Sequence, residues 1–223
     1  MQLELDHIFV CVEPEAVVAD LLTDFGLTEG SRRIHRGQGT ANVCFSFENA
    51  YLELLWLFDT NEIQSPVVRA TGLWERCRWQ ETQACPFGIS FRLTASDLRE
   101  MPFSTWDYYA TYLPPRASIP IATNSDNLSE PLIFISPTTR KPTNYPLERR
   151  PSLVHKVGFK EITALKITLP GVQNFSAEVK TLIELGLVQF SHGNFYQLEI
   201  EFDNAKSGNS QDFGLQLPIL IKW

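Results

Sequence analysis

Leu3-Glu4-Leu5-Asp6-His7-Ile8-Phe9-Val10 reads as an apolar strand carrying one imidazole, and Tyr51-Leu52-Glu53-Leu54-Leu55 reads as another carrying one carboxylate. A strand sends alternate side chains to opposite faces, so Leu3, Leu5, His7, Phe9 and Cys11 are expected together, with Ile8, Val10 and Val12 behind them. Between the two strands Pro14 is placed to open a helix. Val17, Val18, Leu21, Leu22 and Phe25 would form its apolar stripe and Gly26 its C-terminal cap. A loop over 32–39 follows, then strands over 40–48 and 50–58 divided at Glu48-Asn49. The stretch has about the length of one β-α-β-β-β unit.

The pattern recurs. Phe87-Gly88-Ile89-Ser90-Phe91-Arg92-Leu93 begins a second copy, with a short helix over 95–101 and strands over 118–122 and 131–136. Ile162-Thr163-Ala164-Leu165-Lys166-Ile167-Thr168-Leu169 begins a third, with a helix over 176–185. Its Glu184-Leu185-Gly186-Leu187 echoes Asp24-Phe25-Gly26-Leu27, and Tyr196-Gln197-Leu198-Glu199 echoes Tyr51-Leu52-Glu53-Leu54. The expected division is a first βαβββ module at 1–60, a helical cover at 61–85 and a degenerate second module at 86–137. A proline-rich crossover at 138–159 and a third βαβββ-like module at 160–223 complete it, all packed as one α+β domain.

The chain has 223 residues, of which 43% are hydrophobic, an ordinary proportion for a globular protein. Its net charge of −7 argues against a nucleic-acid partner, which requires a basic surface. No apolar run approaches the roughly 20 residues that span a bilayer. The four cysteines form no C-x-x-C pair and no leader is read ahead of the first strand, so reduced thiols in a cytoplasmic protein are expected. Walker, H-E-x-x-H and G-x-S-x-G motifs are absent, and Gly37-x-Gly39 lacks the third glycine of a dinucleotide fingerprint.

His7 and Glu53 are the leading site candidates. An imidazole and a carboxylate meeting across a sheet make half of a divalent-metal site. The plain alternatives are a hydrogen-bonded core histidine and an ion pair of Glu53 with Arg33 or Arg92. His155 reads either as an anion contact or third ligand, or as a satisfied loop histidine. His35 is expected in solvent within a basic loop, and His192 in a hairpin turn. The run Trp106-Asp107-Tyr108-Tyr109-Ala110-Thr111-Tyr112 reads as a cavity wall, with Trp106 and Tyr109 facing a ligand, or as a plug over a sheet edge.

These residues resemble the vicinal oxygen chelate superfamily of glyoxalase, bleomycin-resistance and extradiol-dioxygenase proteins. The resemblance rests on Leu5-Asp6-His7-Ile8, Gly39-Thr40-Ala41-Asn42 and Tyr51-Leu52-Glu53-Leu54. A glyoxalase-like branch is similar also at Gly37-Gln38-Gly39, Leu73-Trp74-Glu75-Arg76, Pro86-Phe87-Gly88-Ile89, Tyr112-Leu113-Pro114-Pro115 and the closing Leu217-Pro218-Ile219-Leu220. It implies paired βαβββ modules forming a cupped sheet around one divalent metal ion that chelates substrate oxygens. His7 and Glu53 would be the ligands. Gly88, Ala164 and Ser136 fall where the other modules should repeat them, and Glu199 alone keeps a carboxylate. A metal would then need His155, Glu199 or the partner chain of a homodimer as a further ligand. The implied activity is that of a lyase, isomerase or dioxygenase acting on a small molecule, with Glu53 as general base because desolvation strengthens a carboxylate base. Asn42, Arg33, Trp106 and Tyr109 would line the pocket. The alternative is a metal-free protein that sequesters a small hydrophobic or aromatic compound.

Overall fold

The first strand, β1 (Leu3–Cys11), lies at the centre of an eight-stranded sheet. The computed structural model describes residues 3–94 and 101–223, and the helix expected over 95–101 falls, apart from Met101, outside them. After β1 come the helix α1 (Ala19–Phe25) and strands β2 (Arg32–His35), β3 (Thr40–Ser46) and β4 (Tyr51–Leu57). Four single helical turns follow: α2 (Thr60–Ile63), α3 (Pro66–Arg69), α4 (Leu73–Arg76) and α5 (Trp79–Thr82). Strands β5 (Phe87–Leu93), β6 (Thr105–Tyr108), β7 (Ile119–Ala122) and β8 (Leu132–Ile135) complete the sheet in the order β2-β3-β4-β1-β5-β8-β7-β6. β1 pairs in parallel with β4, β5 pairs in parallel with β8, and β1 and β5 join antiparallel. The two halves therefore have the same strand order on either side of the β1–β5 seam.

The seam contains a one-residue slip. Leu5 pairs with Phe91, but His7 pairs with Ser90, which leaves Asp6 as an unpaired bulge. Leu3 and Leu5 consequently pack on the same core as Ile8, Val10 and Val12, while Phe9 and Cys11 belong to a second cluster on the other face. This corrects the regular alternation expected across Leu3–Cys11. The bulge turns His7 onto the second face without sacrificing the apolar residues that precede it.

The larger core lies between that first face and a second sheet. Its strands are β9 (Ile162–Pro170), β10 (Gln189–Gly193), β11 (Gln197–Phe202), β12 (Ser210–Asp212) and β13 (Ile219–Lys222), ordered β10-β9-β11-β13-β12. Leu165, Ile167 and Leu169 alternate inward on β9, as Leu198, Ile200 and Phe202 do on β11, and all join the core that holds Val43, Phe45, Leu52 and Phe87. The helix α6 (Ala177–Glu184) starts at Ser176, whose hydroxyl accepts the Val179 N–H at 3.3 Å. α1 ends at Gly26, whose left-handed φ of 109° lets its N–H reach the Leu22 and Thr23 carbonyls. In this third unit the opening strand β9 pairs in parallel with β10 and antiparallel with β11, an order unlike that of the first two units. The architecture is α+β, with mixed sheets of eight and five strands.

The second face of the large sheet is covered differently. Phe9, Cys11 and Leu55 pack with Ile63, Val68 and Leu73 from α2–α4 and with Tyr108, Ile119 and Ile121 from β6 and β7. Among the described residues no helix is long and apolar enough to cross a membrane.

Candidate functional site

A cavity of about 330 Å³ opens on this second face, and both His7 and Glu53 line it. Each is buried, at 8% and 5% exposure. His7 Nδ1 lies 2.7 Å from Asp6 Oδ2, and Nε2 lies 3.5 Å from Glu53 Oε2. A buried carboxylate on Nδ1 makes that nitrogen the donor, so Nε2 is the nitrogen turned towards Glu53. The ring is wedged in place, stacked on Tyr51 at 4.4 Å between centroids and edged by Phe134 at 5.3 Å.

The charge behind His7 is balanced. The Arg92 side chain, 2% exposed, reaches Asp6 Oδ1 at 3.4 Å and Glu4 at 3.3 Å, and donates to the Asn49 carbonyl at 2.6 Å. Bulging at Asp6 brings this carboxylate and the following imidazole to the same edge of the site. On the other side Asn42 Nδ2 donates to Glu53 Oε1 at 2.5 Å. That bond fixes the amide, and the buried Asn42 Oδ1 is left without a partner among the described residues. The line Arg92–Asp6–His7–Glu53–Asn42 thus runs from a buried cation to the cavity wall.

A second network adjoins it. Gln38 donates to Thr40 Oγ1 at 2.7 Å and accepts from the Tyr108 and Tyr112 hydroxyls at 3.1 and 3.3 Å. Thr40 lies 3.0 Å from His35 Nδ1, and His35 Nε2 lies 3.5 Å from the Asn42 amide. His35 is buried at 8% exposure and lines the cavity, which corrects the solvent position expected for it. Burial holds its pKa below the ordinary imidazole value, against the pull of the Glu53 carboxylate. Burial likewise pushes the Tyr112 phenol up, so it remains a hydroxyl donor. Glu62 on α2 accepts the N–H groups of Gly37 and Gly39 at 2.6 and 3.2 Å and pins the loop that presents Gln38.

The other anticipated residues separate. Asn42 and Arg33 line the cavity, with the exposed Arg33 guanidinium 5.5 Å over the Tyr112 ring at the mouth. Trp106 does not line it. Its Nε1 donates to Ser125 at 3.0 Å, and Tyr109 is 57% exposed. The wall comes instead from Tyr108, in the inward phase of β6, and from Tyr112. His155 accepts the Thr28 N–H on Nδ1 at 2.9 Å and faces the Ser46 carbonyl with Nε2 at 2.9 Å. Both nitrogens are thereby used, and the ring lies against Phe47. Glu199 pairs with Lys222 at 2.9 Å on the second sheet, outside the residues lining the cavity. Sequence reading assigned no role to Gln38 and set His35 in solvent, and within the aromatic run read as a wall it singled out Trp106 and Tyr109 rather than Tyr108 and Tyr112. Only the neighbouring Gly37-x-Gly39 turn and the dense tyrosines signalled them.

The donor set does not fit a protein-held divalent metal. The register equates His7 and Tyr51 in the first half with Gly88 and Leu132 in the second, and Phe9 and Glu53 with Ser90 and Phe134. Phe134, rather than the expected Ser136, therefore occupies the position of a second carboxylate. A Cβ at Gly88 would lie 2.0 Å from a Phe9 ring atom, so no ligating side chain fits there. Among the described residues no group of three or more His, Cys, Asp or Glu side chains could hold a metal ion, whereas catalytic zinc sites usually have three protein ligands.

Residues 5–100 match the model of the glyoxalase-like domain family. A hypothetical protein from Staphylococcus aureus of known crystal structure shares the fold along 99% of both chains, with a TM-score of 0.56 and 13% identity. A hypothetical protein from Bacillus halodurans aligns over 60% of this chain and 94% of its own at a TM-score of 0.37 and 14% identity. A methylmalonyl-CoA epimerase from Mycobacterium tuberculosis aligns over 59% and 85% at a TM-score of 0.37 and 18% identity. No curated protein matches the chain. Residues 5–100 are thus similar to the glyoxalase-like domain family, and the chain as a whole shares its fold with the Staphylococcus aureus protein.

Proposed function

We propose that this protein binds a small carbonyl compound in the 330 Å³ cavity and moves a proton at the carbon beside the carbonyl, with Glu53 as base. The carrying observation is the Asp6–His7–Glu53 line, with contacts of 2.7 and 3.5 Å. Glu53 takes the proton and His7 Nε2 shares it. Asp6, held by Arg92, stabilises the resulting imidazolium as the carboxylate of a catalytic triad does. Asn42 holds the second oxygen of Glu53 in position, and its free Oδ1 can accept a hydroxyl or amide N–H from the ligand. Phe9, Leu132 and Phe134 pack the apolar body, while Arg33 at the mouth attracts a carboxylate. His35, kept neutral by burial, adds no competing positive charge. The four cysteines are all free thiols, which favours a reducing cytoplasm.

The test is hydrogen exchange in deuterated water, followed by proton NMR on a panel of 2-oxo acids with aliphatic and aromatic side chains. The protein should catalyse exchange beside the carbonyl, and Glu53→Gln should lower the rate by about 10²-fold or more. Arg33→Ala should instead raise the concentration needed for half-saturation. Exchange by Glu53→Gln at the unaltered rate would refute the assignment. The apolar cavity wall favours a second reading, as a binding protein. Thermal stabilisation by a panel member without exchange would establish that reading in place of the first.

A further inference from the structure

We propose that a second hollow beside the site holds a phosphoryl group, so that the molecule bound in the first cavity is a phosphorylated compound. The inference rests on the small-molecule reading of the first cavity. This second hollow, of about 220 Å³, shares Ser31, Cys44, Tyr51, Thr138 and Tyr145 with the first, so the two adjoin across a common wall. The first hollow carries Glu53 beside the apolar side chains of Phe9, Leu132 and Phe134. The other is lined by Arg140 and Arg149, with Ser31, Ser46 and Thr138 offering hydroxyls.

Charge decides what this end accepts. Among the described residues Asp6 is the one carboxylate in its lining, and it already faces both Arg92 and His7. Neither Arg140 nor Arg149 forms an ion pair with a described residue. In a chain of net charge −7 this is a local excess of positive charge. The arginines sit on a braced segment. Lys141 pairs with Glu4 at 3.0 Å, Thr143 donates to the Glu48 carbonyl at 3.2 Å, and Arg150 donates to the Tyr145 carbonyl at 3.2 and 3.1 Å. Pro142 and Pro151 in the lining restrict the backbone further. Two guanidinium forks and several hydroxyls provide more donors than the two oxygens of a carboxylate can use. A phosphoryl group, with three terminal oxygens and up to two charges, uses them better.

The experiment is calorimetric titration of inorganic phosphate, and in parallel acetate, into the full chain at low ionic strength. Saturable phosphate binding is expected, weakened at least tenfold in Arg140→Ala/Arg149→Ala and by added salt. Both side chains are exposed, so the double variant should melt as the parent does. Glu53→Gln should bind phosphate unchanged, which separates this site from the proton-transfer reading. Absence of saturable binding, or equal binding by the double variant, would overturn the proposal. Acetate binding as tightly as phosphate would overturn the phosphoryl assignment in favour of a carboxylate.

Discussion

Replacing Arg92 by methionine tests the electrostatic frame beneath the site. The substitution roughly keeps the volume and removes the cation. Asp6, with its side chain 4% exposed, would lose its arginine partner and keep only His7. Breaking a buried pair by deleting one partner costs about 3–5 kcal/mol. The Asn49 carbonyl, which now accepts at 2.6 Å, would lose this donor at a further cost of about 1 kcal/mol. Loss of the Glu4 contact adds little, because Glu4 is 31% exposed and keeps Lys141. The expected loss is about 4–6 kcal/mol, a large share of the roughly 5–15 kcal/mol that stabilises a domain. Urea unfolding followed by tryptophan fluorescence measures it. Asp6→Asn combined with Arg92→Met removes the stranded charge and should recover about 2 kcal/mol of the loss. A deficit below about 1 kcal/mol for Arg92→Met, or a double variant less stable than the single one, would refute the account.

Three further outcomes are expected. Gly88→Ala should cost about 1–3 kcal/mol by overpacking against Phe9, a fall of roughly 2–4 °C in melting midpoint per kcal/mol, and Phe9→Leu should recover part of it. Burial lowers the pKa of both His35 and His155, so the unfolded chain takes up these protons more readily. Their contribution is complete above the ordinary value of 6.5 and is lost as pH falls towards the folded values. Melting at pH 7.5 and 5.5 should show that loss, and His155→Phe should make the dependence shallower; an unchanged slope would count against it. Burial pushes the Cys11 thiol well up and Cys85 to about 12, so both should resist a thiol-specific disulfide reagent at pH 8 until the protein unfolds.

The first unit was readable because each of its strands is long and apolar enough to show its period. The strands holding His7 and Glu53, the glycine closing α1 and the second opening strand at Phe87 all occur within a few residues of where pattern places them. The edge strands β2 and β6 escaped notice. Each has four residues with charged or exposed side chains, as suits a sheet edge, and pattern cannot distinguish such a segment from a loop. The bulge at Asp6 was equally hidden, since Leu3, Leu5, His7 and Phe9 look regular unless β5 is laid beside them.

The sequence by itself determined the α+β composition and singled out His7 and Glu53 as candidates. Those properties follow from local periodicity and from the cost of burying a polar group in an apolar strand. Only the tertiary structure decided which groups surround the pair. Asp6 and Arg92 meet through a one-residue slip between strands separated by some 80 positions, Gln38 enters through a loop pinned by Glu62, and Phe134 fills the place of a second carboxylate by sheet register. Register is a long-range property: a shift of one residue exchanges the two faces of a strand while leaving its sequence unchanged.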